Sequence, residues 1–164
     1  MAQMAGSKKW TLNEIAGATT QNNVITGLIS GPIDIDVGLV RPWAFAYCPI
    51  TSATIRTSGN RGGWSLIERA FSFCHELEDV LYFPPSNGIG GIGIYTFWDC
   101  TKLKRVRITG NVSYIENAAF GSCPLLTDIY VTWAEGAVAG APWGATNATI
   151  HYNTVFDANG NIIG

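Results

Sequence analysis

Charge is scarce in this chain. Asp, Glu, Lys and Arg make up 13% of its 164 residues, and the formal net charge is -2. That balance supplies no electrostatic drive toward nucleic acid or an anionic membrane surface. Long apolar runs are missing too, so no membrane-spanning helix and no membrane insertion are expected. Near the start, Lys8 and Lys9 precede a stretch, Thr11 to Gln21, that is not continuously apolar, so no secretory signal is expected. Histidine occurs at His75 and His151 alone. No Ser-His-Asp order and no pair of carboxylates at a cleft stand out, which argues against an enzyme. Cys-x-x-Cys pairs are absent, so zinc is not expected. The glycine-rich run Ile89–Ile94 lacks the lysine of a phosphate-binding loop. No catalytic, cofactor-binding or metal-ligating set is therefore expected.

What the chain does contain is repetition. Ala-Phe-Ala-Tyr-Cys ends at Cys48, Ala-Phe-Ser-Phe-Cys at Cys74, Thr-Phe-Trp-Asp-Cys at Cys100 and Ala-Phe-Gly-Ser-Cys at Cys123. The phenylalanines Phe45, Phe71, Phe97 and Phe120 are spaced by 26, 26 and 23 residues. A period of this size marks a solenoid, whose units bury their apolar faces only by stacking. After each Cys comes a strand pattern: Ile50, Ala53 and Ile55; Leu77-x-x-Val80-x-Tyr82; Leu103-x-x-Val106-x-Ile108; Leu126-x-x-Ile129-x-Val131. The last positions alternate as a strand requires. Five residues before each Phe sits a further apolar residue: Val40, Leu66, Ile92 and Ile115. The expected coil is a short strand, a loop, then a tight helical turn, with Phe and Cys three apart on one inner face. The longer coils carry their extra residues in Thr57–Gly63 and Pro84–Gly91, which have loop composition.

The Cys residues share one slot and read as a row of buried, reduced thiols, each a small hydrophobe. Trp143 follows Phe120 by 23 residues and is read as the Phe slot of a fifth coil without Cys, with Ile150 and Tyr152 as its strand. Residues 1–39, with a short helical candidate at Leu12–Ala16 and an extended run at Val24–Ile29, are expected to form an N-terminal cap. Residues 40–152 would be the repeats. Residues 153–164 would form a hairpin cap, turning at Asp157–Gly160.

The run Ile115-Glu-Asn-Ala-Ala-Phe-Gly-Ser-Cys-Pro-Leu-Leu-Thr-Asp-Ile-Tyr-Val131 and its sister units resemble the BspA-like leucine-rich repeats, over about residues 40–152. The resemblance implies an α/β repeat solenoid: a right-handed leucine-rich-repeat-like coil with a short parallel sheet and helical turns, capped at both ends. It implies adhesion at a cell surface or after secretion, and it brings no catalytic residues. The segment Gly140–Tyr152 looks like the ends of repeat proteins from gut bacteria and their phages, which implies a phage or prophage component. Placement on a virion or on a cell surface is thus the expectation.

Stacking turns equivalent positions into rows. Asp79, Arg105 and Asp128 would alternate in charge along the stack, with Glu78 beside Lys104, as a cross-strand ladder. One outward strand row would hold Thr54, Leu81, Arg107 and Tyr130, and the next Arg56, Phe83, Thr109 and Thr132. Leu81, Phe83, Arg107 and Tyr130 are the candidate binding residues of a concave strand face, because such side chains are common interface anchors. Trp64 and Trp133 are added as rings able to stack on a sugar. The partner would be a protein or a cell-surface glycan. Equally open is coverage of this face by a cap segment or by a twin subunit, as in a homo-oligomer or a phage capsid or tail. Five strands at ~4.8 Å make a face only ~24 Å wide, so many-copy display would have to supply avidity.

Overall fold

The computed structural model describes residues 29–60 and 65–164. Trp64, Leu12–Ala16 and residues 24–28 of the extended run lie outside the described residues. What is described is a parallel-strand β-solenoid of about five turns. Its strands are β1 (Gly31–Asp36), β2 (Ile50–Arg56), β3 (Asp79–Phe83), β4 (Gly91–Ile92), β5 (Arg105–Ile108), β6 (Tyr114–Ile115), β7 (Asp128–Val131) and β8 (Thr149–His151). The main sheet has six strands in the order β1-β2-β3-β5-β7-β8, all parallel. Ile33 and Ile35, in the segment read as a cap, sit in β1, which already pairs with β2 as the first rung. The apolar residues five before each Phe form a second parallel ladder, Val40–Leu66–Ile92–Ile115.

Among the described residues there is no helix, and this corrects the expected helical turns. The turn amides alternate their partners instead. In the second coil, Ala70 N, Ser72 N and Cys74 N bond three residues back, to Ile67, Arg69 and Phe71. The amides between them, Arg69 N, Phe71 N and Phe73 N, donate across to Ile94 O, Thr96 O and Trp98 O of the next coil at 3.1, 2.8 and 2.8 Å. An α-helix directs its amides along its own axis, four residues back, and could not make this ladder. The alternation requires left-handed backbone on both sides of each Phe: φ is 61° at Trp43 and 64° at Tyr47, 57° at Arg69 and 62° at Phe73, 56° at Tyr95 and 57° at Asp99. Such backbone costs a non-glycine residue about 1–2 kcal/mol. The cross-coil bonds, which keep buried backbone groups paired, offset that cost.

The spacing of three between Phe and Cys nevertheless directs both side chains inward, because successive three-residue turns also return to one face. Phe71, Phe97 and Phe120 are fully buried, and Phe45 nearly so. Their rings stack face to face, with centroids 5.0, 5.3 and 5.6 Å apart along the series and planes within 11°. Cys48, Cys74, Cys100 and Cys123 are buried and form no disulfide. Three of the thiols have a defined role: Cys74, Cys100 and Cys123 each donate from Sγ to the carbonyl of the Phe one coil earlier, at 3.1, 3.3 and 3.1 Å. Burial pushes the Cys74 and Cys100 thiols well above their ordinary pKa.

Trp143 is buried, but its backbone stands one residue ahead of the expected slot. Its carbonyl accepts from Phe120 N, the part that Ala119 O plays for Phe97 N. The indole fills the stack end by packing edge-on against Trp133, with ring centroids 6.5 Å apart.

Candidate interaction surface

In most parallel sheets crossover helices bury both faces. Here the crossovers run as a turn ladder on the opposite side of the coil, and among the described residues no helix lies on the outward strand face. That face carries one side chain per coil in a continuous row: Asp34, Thr54, Leu81, Arg107, Tyr130 and His151. The register of Thr54, Leu81, Arg107 and Tyr130 is the one the repeat spacing implies. In the next row Arg56 stands beside Phe83, and Thr109 and Thr132 lie beyond the strand ends.

Polar chemistry along the face is largely self-satisfied. Arg56 pairs with Asp34, and its guanidinium lies 4.9 Å from the Phe83 ring centroid. Arg105 reaches Asp79 through Nε at 3.1 Å and Nη2 at 2.9 Å. That bond holds the Arg105 pKa above its ordinary value. Lys104 bonds Glu78 at 2.9 Å, and Lys102 bonds Glu76 at 2.6 Å. Asp128 bonds His151 rather than Arg105, with Nε2 and Oδ1 2.8 Å apart, and this lowers its pKa. The His151 ring stacks on Tyr130 at 4.2 Å. These exposed pairs order the face but contribute little stability individually.

The structure treats the predicted binding residues unequally. Phe83 and Tyr130 are half-buried and reachable from solvent. Leu81 is only 8% exposed, because the closing hairpin lies over it. Residues 155–164 fold back across the strands, and Arg107 Nη1 donates to Gly160 O at 3.0 Å. The tip of this hairpin covers the strand row two and three coils away, the coverage by a cap segment that the sequence left open. Trp133 is buried against Trp143 and offers no open ring to a sugar.

A second cluster escaped the sequence reading. On the turn face Arg69 is held between Trp43 and Tyr95, 5.1 and 4.5 Å from their centroids. Beside it Tyr47 stacks on Phe73 at 4.7 Å. Trp43, Arg69 and Tyr95 each stand two residues before the Phe of their coil, and Tyr47 and Phe73 two after, so tabulating those slots would have exposed both stacks. Tyr47 and Phe73 lie face to face, with planes 8° apart, and Tyr47 remains 55% exposed.

Residues 38–134, more than half of the chain, match the family described as BspA type leucine rich repeat region, in six copies. The chain belongs to the BspA-type leucine-rich repeat family. Repeats of this family are commonly protein-interaction or adhesion modules and are generally non-enzymatic. No curated protein and no solved structure matches the chain.

Proposed function

We propose that this BspA-type repeat protein is a non-enzymatic adhesion module. It recognises a protein partner through the accessible flanks of the outward strand face and the adjoining loops. The observation that supports this reading is the continuous outward row, one side chain per coil, with no helix over it among the described residues. Phe83 with Arg56 on one flank, and Tyr130 with His151 on the other, are the anchors. A protein fits better than a glycan, because sugar stacking needs free aromatic faces. Arg69 occupies the space between the Trp43 and Tyr95 rings, Phe73 takes one face of Tyr47, and Trp133 is buried.

A stable protein interface takes about 800 Å² from each partner. The hairpin occupies the middle of an already narrow sheet, so display in many copies, on a cell or virion surface, supplies the remaining strength through avidity. The test is to load the biotinylated chain onto streptavidin and pass monomer and tetramer over immobilised extracellular-matrix proteins and glycans. Retention of the tetramer on a matrix protein is expected. It should be lost in a Phe83→Ala, Tyr130→Ala double variant that melts like the parent. Retention on glycans alone, or undiminished binding by the double variant, contradicts the proposal.

One observation favours assembly as a second reading. Val155, Ile162 and Ile163 on the hairpin are 52%, 41% and 66% exposed. An apolar ridge of this kind suits contact with another copy or with a neighbouring virion subunit. Light scattering separates the two: a stable oligomer that Ile163→Asp dissociates supports assembly, and a monomer at all concentrations rejects it.

A further inference from the structure

The closing hairpin is nearly self-contained. Val155 N bonds Gly164 O and Ile163 N bonds Val155 O, with Phe156 and Ile162 bridged between them. At the tip Asp157 accepts from the amides of Asn159 and Asn161 and from the Asn161 side chain, and its own carbonyl accepts from Gly160 N. The root is tied into the last coil: Asn153 N bonds Trp133 O, and Thr154 N bonds Val131 O. Beyond Thr154 two features of the tip hold it to the strand row. Gly160 O receives Arg107 Nη1, and the Gly160 α-carbon lies against Leu81 so closely that a Cβ there would stand 2.6 Å from Leu81 Cδ1. With a φ of 79°, that position suits glycine on conformational grounds as well.

The seat is good but incomplete. Arg107 uses Nη2 on Asp79 at 2.9 Å and Nη1 on Gly160, while its buried Nε has no hydrogen-bond partner. A buried donor left unpaired is costly, and a single neutral carbonyl does not saturate a guanidinium. An element that seals a core permanently would bury its own apolar groups. Here Val155, Ile162 and Ile163 stay exposed, Phe156 is only half-buried, and over Leu81 it is the backbone of a glycine that does the covering. That is the construction of a cover with a small footprint, joined through one strand-end root.

We infer that the hairpin of residues 155–164 is a displaceable strap, an intramolecular occupant of the strand row. It masks Leu81 and Arg107 until a protein segment offering a hydrogen-bond acceptor to Arg107 and close backbone approach to Leu81 takes its place. The inference deepens the reading of the strand face as a recognition surface and rests on it for the partner. The cover itself is tested without one.

The experiment uses the full chain, methyl-labelled, with a soluble gadolinium chelate as the solvent probe. In the parent, Leu81 methyls should be protected from paramagnetic relaxation and show an Overhauser contact to the Gly160 α-protons. In Gly160→Val the contact should vanish and the relaxation rise roughly tenfold, as for a local opening that leaves the rest folded. The shifts of the Phe97 and Phe120 rings should stay unchanged. Arg107→Ala, which adds no bulk, should raise the relaxation in the same sense. A synthetic peptide of residues 154–164, added at millimolar concentration to the Gly160→Val protein, should restore protection of Leu81. The same peptide carrying Gly160→Val should not.

Equal relaxation in parent and variants would show that the hairpin does not cover the row. Collapse of the Phe ring signals in both variants would make it a structural cap. Failure of the parent-sequence peptide to restore protection would show that the row takes no segment in trans. Each of these overturns the inference. Loss of matrix-protein binding in the array experiment would leave the strap itself standing.

Discussion

The Cys100 thiol donates to the carbonyl oxygen of Phe71, 3.3 Å away and one coil earlier. The slot calls for a residue small enough for a stacked interior, apolar enough to be buried there, and able to donate one weak hydrogen bond. Cysteine meets all three conditions. The same bond recurs from Cys74 to Phe45 and from Cys123 to Phe97.

The thiols should therefore be silent in the folded protein. Ellman's reagent at neutral pH is expected to titrate none of the four buried cysteines until denaturant unfolds the chain, and all four together afterwards. Burial raises the Cys74 and Cys100 pKa values in the fold. The unfolded chain then releases those protons first. Stability should hold below the ordinary thiol pKa of about 8.5 and fall as pH rises above it. Urea midpoints measured between pH 7 and pH 10 check the sign. A midpoint that climbs over that range would be incompatible with buried neutral thiols.

Phe97 has a stacked ring on either side, at 5.3 and 5.6 Å. Phe97→Ala should cost about 3–5 kcal/mol, since neighbours held by cross-coil bonds cannot collapse into the space. Chemical denaturation reads this directly, and a loss under 1 kcal/mol would mean the ring column is not continuous.

Two adjacent residues should respond with opposite signs. At Gly121 an added Cβ would lie 2.3 Å from the Trp98 ring, so Gly121→Ala must push the indole aside and destabilise by about 1–3 kcal/mol. Ser122 is exposed with φ at 55°, so Ser122→Gly relieves left-handed strain and should stabilise by up to about 1 kcal/mol. Thermal melts of the pair decide it. Equal shifts for both would show that backbone conformation at Ser122 is unimportant.

Acid should loosen the hairpin before it unfolds the coils. The Asn161 side chain, followed by the amides of Asn161, Asn159 and Gly160, holds the Asp157 carboxyl below its ordinary pKa. A depressed folded pKa gives stability that is present above the unfolded value of about 3.9 and is lost as pH falls through the lower folded one. Protection factors of the amides of residues 155–163, taken against the intrinsic exchange rate at each pH, should fall below pH 4, and Asp157→Asn should abolish that dependence. Unaltered protection in the parent across this window would mean that the carboxylate does not order the turn.

Much of the stacking was legible because it rests on periodicity. The Phe and Cys slots, the in-out alternation and the adjacency of Asp79 with Arg105 all follow once equal positions become neighbours. The hairpin turn at Asp157–Gly160 was legible from turn chemistry. The character of the Phe turn was not. A spacing of three fits a helix and a chain of three-residue turns equally well. What separates them is the demand of the next coil for alternate amides, and bulky Trp43, Tyr47 and Phe73 give no local hint of left-handed backbone. Pairing Asp128 with His151 rather than Arg105 depended on which side chain Asp79 had already engaged.

From its amino acids alone, the chain determined a repeating coil, an interior of Phe and Cys, and strands that alternate inward and outward. These depend on spacing and side-chain polarity, which a linear pattern carries. Only the tertiary structure decided that turns replace helices, that Trp143 shifts by one residue to meet Trp133, and that Gly160 rests on Leu81 beneath the hairpin. Each of those joins residues at least ten apart in the chain through backbone bonds or bare contact. Such contacts leave no mark on composition or period.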